Sequence, residues 1–86
     1  MMALAAAAVR RFPCPACREL VLEEPAWFSK DSASDEICPS CGIQFGYDDA
    51  EPDLRAMIHG LWGDRWRQNG RLPLRPRPSL DELLAG

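Results

Sequence analysis

The apolar residues between positions 54 and 66 recur with the spacing of a helix. They are three or four positions apart and comprise Leu54, Ile58, Leu61, Trp62 and Trp66. This period places them on one helical face. Acidic residues and Pro52 come before the run and Gly70 comes after it, as is typical of helix starts and stops. The sequence therefore predicts a helix over about residues 50–69.

Upstream of this helix, short apolar runs alternate with turn-forming residues. Glu19–Leu22 has the composition of a short strand. Residues 35–37 and 43–45 predict two strands of an antiparallel hairpin around a turn, and the serine-rich run 29–34 predicts a loop. The pattern indicates a small α+β fold whose strands are too short to hold the chain together alone.

The C-terminal end carries a second helical signal. Ser79 with Glu82 three residues later forms a capping box in front of three leucines, which predicts a short helix over 79–85. A proline-rich connector precedes it. We therefore divide the chain into a lead (1–11), a cysteine-containing domain with its helix (12–69) and a proline- and arginine-rich tail with the short terminal helix (70–86).

The lead is apolar from Met1 to Val9, and its arginines follow the apolar run. A secretory signal has the opposite order. No stretch of the sequence reaches the roughly 18 apolar residues that a membrane span requires. We expect a flexible or weakly helical lead on a soluble, cytoplasmic protein that does not associate with membranes.

The size of the chain limits how it can be stabilised. Its 86 residues and 9.6 kDa suffice for one small domain, and eight prolines and six glycines shorten its regular elements. A domain of this size buries only about 60–65% of its surface on folding, so it commonly needs disulfides or a metal. Four cysteines are present. A large enzyme with a deep preformed pocket is excluded.

The cysteines form two Cys-Pro-x-Cys pairs with the overall spacing Cys-x2-Cys-x20-Cys-x2-Cys. The candidate ligands are Cys14, Cys17, Cys38 and Cys41. This spacing is typical of a tetrahedral zinc site in which each pair forms a knuckle. Gly42 after the second pair allows the positive φ that commonly ends a knuckle. Because Arg18 holds the equivalent position after the first pair, we expect that knuckle to be the more strained.

Four thiolates complete the shell of a zinc ion and leave no open position for water or substrate, so the predicted Zn²⁺ is structural. Its apparent binding energy in small modules is about 10–16 kcal/mol, more than this core could supply. Two disulfides would need an oxidising compartment, and a redox-active pair would need a strand–helix context that the sequence lacks. Iron in a rubredoxin-like site remains an alternative metal.

Several motifs of the chain coincide with those of a known family. They are Phe12–Cys17, Glu23–Pro25, Glu36–Gly42, Tyr47–Ala50 and, more loosely, Arg65–Gly70. On these motifs the chain resembles the small bacterial cysteine-rich proteins named for a Cys-Pro-Cys-Cys motif. It departs from them where Ala16 replaces an extra cysteine and Arg18 replaces a glycine. The resemblance implies a zinc ribbon with two knuckles, a short antiparallel hairpin and one packed C-terminal helix. Such proteins have no established enzymatic activity, and similar ones are found beside bacterial toxin genes.

The net charge of −3 conceals a strong asymmetry, with ten acidic residues against one lysine between positions 19 and 53. An acidic face would speed association with a basic partner. The candidate partner-binding residues are Asp48, Asp49, Glu51 and Asp53, with Trp62 and Trp66 as interface anchors or as core residues. The charge pattern thus favours a non-enzymatic protein-binding module, and the resemblance implies its most specific form, an immunity protein that neutralises a basic bacterial toxin.

The C-terminal half supplies the alternative function. Between positions 54 and 77 six arginines face one aspartate. A nucleic-acid backbone could bind to the arginines around and after Trp66, although the acidity of the whole chain opposes this. They are Arg65, Arg67, Arg71, Arg75 and Arg77. His59 is the only histidine, and no nucleophile or second general acid–base group pairs with it in the sequence. We expect His59 to be a surface or core residue and the protein not to be an enzyme.

Overall fold

Two short antiparallel hairpins precede two helices in the computed structural model, which describes residues 11–85. The elements are β1 (Phe12–Pro13), β2 (Leu20–Leu22), β3 (Trp27–Ser29), β4 (Ser32–Ala33), α1 (Arg55–Gln68) and α2 (Leu80–Ala85). β1 pairs with β2 and β3 pairs with β4, each as a separate two-stranded sheet. The small α+β architecture predicted from the sequence is confirmed at this level.

The first hairpin brackets the first cysteine pair. Phe12 faces Leu22 and Pro13 faces Leu20, with an irregularity between the two pairs. Leu22 is fully buried, whereas Leu20 is 66% exposed. The predicted strand is therefore present, and it begins one residue later than expected.

The second hairpin was not predicted, because residues 29–34 were expected to form a loop. Trp27 pairs with Ala33 and Ser29 with Ser32 around a two-residue turn. The serine-rich sequence lacks the alternation of apolar and polar residues that signals a strand. The loop prediction is wrong for Ser29, Ser32 and Ala33.

The hairpin predicted around the second cysteine pair is reduced to an isolated bridge between Ile37 and Gln44. The backbone N–H of Phe45 donates to Glu36 O at 3.1 Å, so the two segments do run antiparallel. Pairing ends there because the chain turns after Phe45, where the N–H groups of Tyr47 and Asp48 donate to Gln44 O. Asp48 accepts from Gln44 N at 2.8 Å, and Asp49 accepts from Gly46 N at 2.7 Å.

Helix α1 begins five residues later than expected and ends where expected. Its N-terminal side-chain cap is absent, and turns occupy residues 52–54. Asp48 and Asp49 accept hydrogen bonds from the upstream turn and do not cap the helix. At the other end Asn69 caps the helix, and Gly70 follows with φ of 73°. The predicted glycine stop is confirmed.

The buried side of α1 lies across both knuckles. Trp62 Nε1 donates to Cys41 O at 2.9 Å, and Trp66 Nε1 donates to Ser40 O at 2.7 Å. At Gly63 the helix approaches the first knuckle so closely that an added Cβ would lie 2.1 Å from Ala16 O. The helix therefore packs on the cysteine cluster itself.

The segment after α1 returns to the same core. Leu74 is buried and its N–H donates to Cys41 O at 3.0 Å. Ser79 N donates to Glu82 Oε1 at 2.8 Å, and Glu82 N donates to Ser79 Oγ at 3.2 Å, so the predicted capping box is confirmed. Leu83 of α2 is buried in the core. The segment predicted as a tail thus contributes two core residues.

The expectations about the lead concern residues outside the described range, except for Arg11. Within residues 11–85, no helix combines the length and the apolar character needed to cross a membrane.

Candidate metal centre

The four cysteine sulfurs lie within 4.8 Å of one another in the core. The distance between the sulfurs of Cys14 and Cys41 is 3.7 Å, and that between Cys17 and Cys38 is 3.8 Å. A zinc ion with Zn–S bonds of about 2.3 Å requires sulfur separations of about 3.8 Å along the edges of its tetrahedron. All four cysteines are free thiols. The predicted ligand set is therefore positioned to bind a metal ion, consistent with structural zinc.

The two knuckles have the same backbone hydrogen bonds. In the first, Arg18 N donates to Cys14 O at 2.7 Å, and in the second, Gly42 N donates to Cys38 O at 2.9 Å. Arg18 has φ of 71° and Gly42 has φ of 87°. The positive φ predicted at Gly42 is confirmed, and Arg18 adopts the same conformation although a side chain disfavours it.

The thiols share a small buried space, and this shifts their pKa values in opposite directions. Hydrogen bonds from the other three thiols lower the pKa of Cys38. Hydrogen bonds with the other three, followed by burial, raise the pKa of Cys41. Without a cation the cluster therefore holds some thiols protonated. A bound divalent ion would supply the charge that lets all four act as thiolate ligands.

The second knuckle is covered on its outer side. The carbonyl of Cys41 accepts hydrogen bonds from Trp62 Nε1 and from Leu74 N. Trp62 is 1% exposed and Trp66 is 3% exposed. The prediction of these tryptophans as interface anchors is wrong, because both rings fill the contact between α1 and the knuckle.

Asp49 is the second correction to the predicted partner surface, since it is fully buried. Trp27 Nε1 donates to its Oδ2 at 2.9 Å, and His59 Nε2 lies 2.6 Å from the same oxygen. Burial acts to raise the pKa of Asp49, but the hydrogen bonds from His59, Trp27 and Gly46 N outweigh it and hold the pKa below its usual value. Asp49 organises the core and cannot meet a partner.

The remaining acidic candidates differ in exposure. The Asp48 side chain is only 6% exposed and lies 3.7 Å from Arg77. Burial raises the pKa of Asp48, partly offset by its hydrogen bond with Gln44 N and by Arg77. Glu51 and Asp53 are exposed. Of the predicted acidic face, these two residues remain fully accessible.

His59 is a partly buried residue that pairs with the core, in line with the expectation, but the network that it forms with Arg55 around Asp49 was not predicted. The Arg55 guanidinium lies 3.4 Å from the centre of the Trp27 ring and donates to Asp49 O at 3.0 Å. The Phe45 ring meets His59 edge-on. Because Arg55 and His59 are four residues apart on one helix, their shared face was the available signal. Nothing in the sequence spacing indicated that this face meets Asp49.

Most arginines of the predicted nucleic-acid surface contact the protein itself. Arg67 pairs with Asp64, and Arg65 donates to Glu82 O. The Arg71 guanidinium lies 5.3 Å from the Trp66 ring, and that of Arg77 lies 4.7 Å from the Tyr47 ring. These contacts direct the guanidinium groups toward neighbouring residues of the chain.

A groove that holds two carboxylates and one guanidinium was not predicted, and we call it the acidic groove. It is a depression of about 570 Å³ lined by Arg11, Leu20, Val21, Glu23, Glu36, Ile37 and Pro39. Leu20 is 66% exposed and Ile37 is 47% exposed. The Glu36 carboxylate accepts from the backbone N–H groups of Glu23 and Glu24. The groove thus combines two accessible aliphatic side chains with two carboxylates and the guanidinium of Arg11.

Comparison with known proteins supplies no relative. No family model, curated protein or solved structure matches the chain.

Proposed function

We propose that the protein is a zinc ribbon in which Zn²⁺, held by the two knuckles, is structural. The observation that carries the proposal is the cluster of four buried thiols, of which two pairs have sulfur separations of 3.7 and 3.8 Å and all lie within 4.8 Å of one another. Four thiolates leave no coordination site for a substrate, and zinc favours this ligand set. The resemblance of the two Cys-Pro-x-Cys motifs to the Cys-Pro-Cys-Cys proteins supports the same assignment.

The metal assignment is tested on the purified full chain by elemental analysis and by cobalt substitution. We expect one zinc per chain and, after exchange, the intense visible absorption of tetrahedral cobalt thiolate. Cys38→Ser should abolish that spectrum. A protein that carries iron in place of zinc, or two disulfides in place of a metal, would contradict the proposal.

The module acts, in our proposal, as a non-enzymatic binder of another protein, with immunity against a basic bacterial toxin as its most specific form. The acidic groove is the docking surface, and its occupant is a basic, apolar segment of the partner. Exposed aliphatic side chains of the groove lie beside the carboxylates of Glu23 and Glu36, which outnumber the one guanidinium of the groove, that of Arg11. Complementary charge would speed association and burial of Leu20 and Ile37 would stabilise the complex.

A pull-down of the tagged zinc-loaded protein from its native lysate, with and without nuclease, tests this proposal. We expect one basic protein that survives nuclease and then binds as a purified 1:1 complex. The double variant Leu20→Ser/Glu23→Lys should abolish that complex. The double variant Asp31→Lys/Leu72→Ser changes one exposed acidic and one exposed apolar residue elsewhere and should leave it intact.

Three results would contradict the docking surface. They are a partner lost on nuclease treatment, equal binding by the groove variant, and loss of binding only when Arg65, Arg67 and Arg71 are replaced. The first and third would favour a nucleic-acid ligand. Far-ultraviolet circular dichroism of each variant establishes that it is folded before its binding is compared.

A further inference from the structure

A cavity of about 570 Å³ lies between the first knuckle and helix α1. Arg18 contributes to it from the knuckle, and His59, Gly60, Asp64 and Arg67 contribute from the helix. We call it the Arg18 cavity. It shares no lining residue with the acidic groove, so it forms a separate surface of the molecule.

Arg18 is an unexpected residue for its position. Its φ of 71° is a conformation that side chains disfavour, and the second knuckle has Gly42 at the equivalent place. The residue is exposed, and among residues 11–85 no carboxylate forms an ion pair with it. Strained non-glycine residues of this kind concentrate at functional sites. The guanidinium is available to a ligand.

Gly60 is equally unexpected in the middle of a helix. A glycine there lowers helix stability. At Gly63 the close approach of Ala16 O excludes a side chain, but a Cβ on Gly60 would meet nothing within 4 Å. Packing therefore does not require a glycine at position 60. Because Gly60 lines the Arg18 cavity, the missing side chain leaves that wall open.

His59 presents one defined ring atom. Its Nε2 lies 2.6 Å from the buried Asp49, and Trp27 Nε1 fixes the same carboxylate oxygen. Within the described part of the chain, no group hydrogen-bonds to Nδ1. The pairing with Asp49 therefore fixes the ring where it lines the Arg18 cavity and leaves Nδ1 for a ligand.

We propose that the Arg18 cavity binds the phosphate group of a small molecule. Arg18 supplies the main charged donor, and Arg67, which shares its guanidinium with the cavity-lining Asp64, supplies the second. Guanidinium groups bind phosphate through paired hydrogen bonds. His59, held by Asp49, also lines the cavity. Two residues that lower stability, Arg18 and Gly60, thus border the same charged cavity.

The test is a titration of the ¹⁵N-labelled, zinc-loaded full chain with inorganic phosphate and, separately, with glycerol 1-phosphate. We expect saturable shifts at Arg18, His59 and Gly60, together with a shift of the His59 Nδ1 resonance. Tighter binding of glycerol 1-phosphate would identify the ligand as an organic phosphate, and equal binding would identify free phosphate. Acetate binding as strong as phosphate binding would overturn the assignment.

Variants give a signature that a purely structural role would not produce. Arg18→Gly and Gly60→Ala should each raise the melting temperature, by about 4–8 °C, because each removes an unfavourable local conformation. Each should also weaken phosphate binding by roughly tenfold or more. Arg75→Ala is the matched control, since Arg75 is an exposed arginine outside the cavity. Undiminished binding by Arg18→Gly, or an equal loss in the Arg75 variant, would overturn the proposal.

Discussion

The two knuckles share one backbone geometry and differ in their surroundings. Each closes with the same hydrogen bond and ends in a residue with positive φ. The second knuckle packs against Trp62, Trp66 and Leu74 and borders the acidic groove at Pro39, whereas the first touches α1 at Gly63 and borders the Arg18 cavity. The repeated motif therefore dictates local geometry, and the residues packed around it decide which surface each knuckle borders.

Replacing a cysteine ligand should unfold both knuckles and should have the largest effect on stability. Cys38→Ser replaces a buried thiolate, and loss of a metal site worth about 10–16 kcal/mol exceeds the stability of an ordinary small domain. We expect an unfolded, zinc-free chain by circular dichroism and metal analysis. Cys14→Ser in the first knuckle should behave identically. A cooperatively folded, metal-free variant of either kind would refute the structural role of the metal.

Removing the Trp62 ring from the second knuckle should lower stability by less than the loss of a metal ligand does. Trp62→Ala opens a cavity and leaves the Cys41 carbonyl without its indole donor, and such truncations cost about 3–5 kcal/mol. Urea unfolding of the zinc-loaded protein measures the loss. Leu72→Ala, at a residue 63% exposed, is the control and should change stability by less than about 0.5 kcal/mol. A similar small effect for both variants would contradict the assigned role of Trp62.

The first of these variants concerns a feature that the sequence itself predicted. The ligand set follows from spacing alone, the C-terminal end of α1 follows from Gly70, and α2 follows from the Ser79–Glu82 box. Such signals are local, because the residues that produce them are close together in the chain. Local patterns therefore predicted the four cysteine ligands, both helices and the strand β2.

The misassigned residues depend on contacts between distant segments. Asp49 reads as one of several surface acids, and only its contacts with Trp27 and His59, 22 and 10 residues away, bury it. Trp62 has the same helical spacing whether it faces a partner or a knuckle. The short β3–β4 hairpin lacks any apolar alternation. Residues adjacent in the sequence give no signal for any of these three features.

The hydrogen bonds of Asp49 hold His59, which lines the Arg18 cavity. They should make the stability of the protein depend on pH. Because its folded pKa is lowered, Asp49 contributes stability that is present above its ordinary pKa of about 3.9 and is lost as pH falls toward the folded value. Asp49→Asn should therefore cost about 2–3 kcal/mol near neutrality. The difference between wild type and variant should shrink below about pH 5.

Unfolding free energies of both proteins, measured at a series of pH values, test that sign. Protonation of the thiolates affects both proteins alike and cancels in the difference. Asp53→Asn, at an exposed carboxylate, should show no such difference. If the difference in unfolding free energy between wild type and Asp49→Asn increased as the pH fell, the ionised carboxylate would not be the stabilising form.

The contact between α1 and the first knuckle offers a paired test on one helix. Gly63→Ala places a Cβ 2.1 Å from Ala16 O and should destabilise the protein by about 1–3 kcal/mol. Gly60→Ala, one turn earlier, meets no atom and should stabilise by up to about 1 kcal/mol. Thermal unfolding of the two zinc-loaded variants measures both. Equal shifts in the same direction would mean that the helix does not approach the knuckle at Gly63.

The smallest changes in stability should come from the equivalent positions Arg18 and Gly42, and they should have opposite signs. Arg18→Gly relieves a disfavoured positive φ and should stabilise the protein by about 1 kcal/mol. Gly42→Ala introduces that strain and brings a Cβ within 3.3 Å of Leu74 N and O, so it should destabilise by about 1–2 kcal/mol. Denaturant midpoints of the zinc-loaded variants give both values. A stability loss in Arg18→Gly would show that the Arg18 side chain holds the knuckle together, and the strain at this position would then need no ligand to explain it.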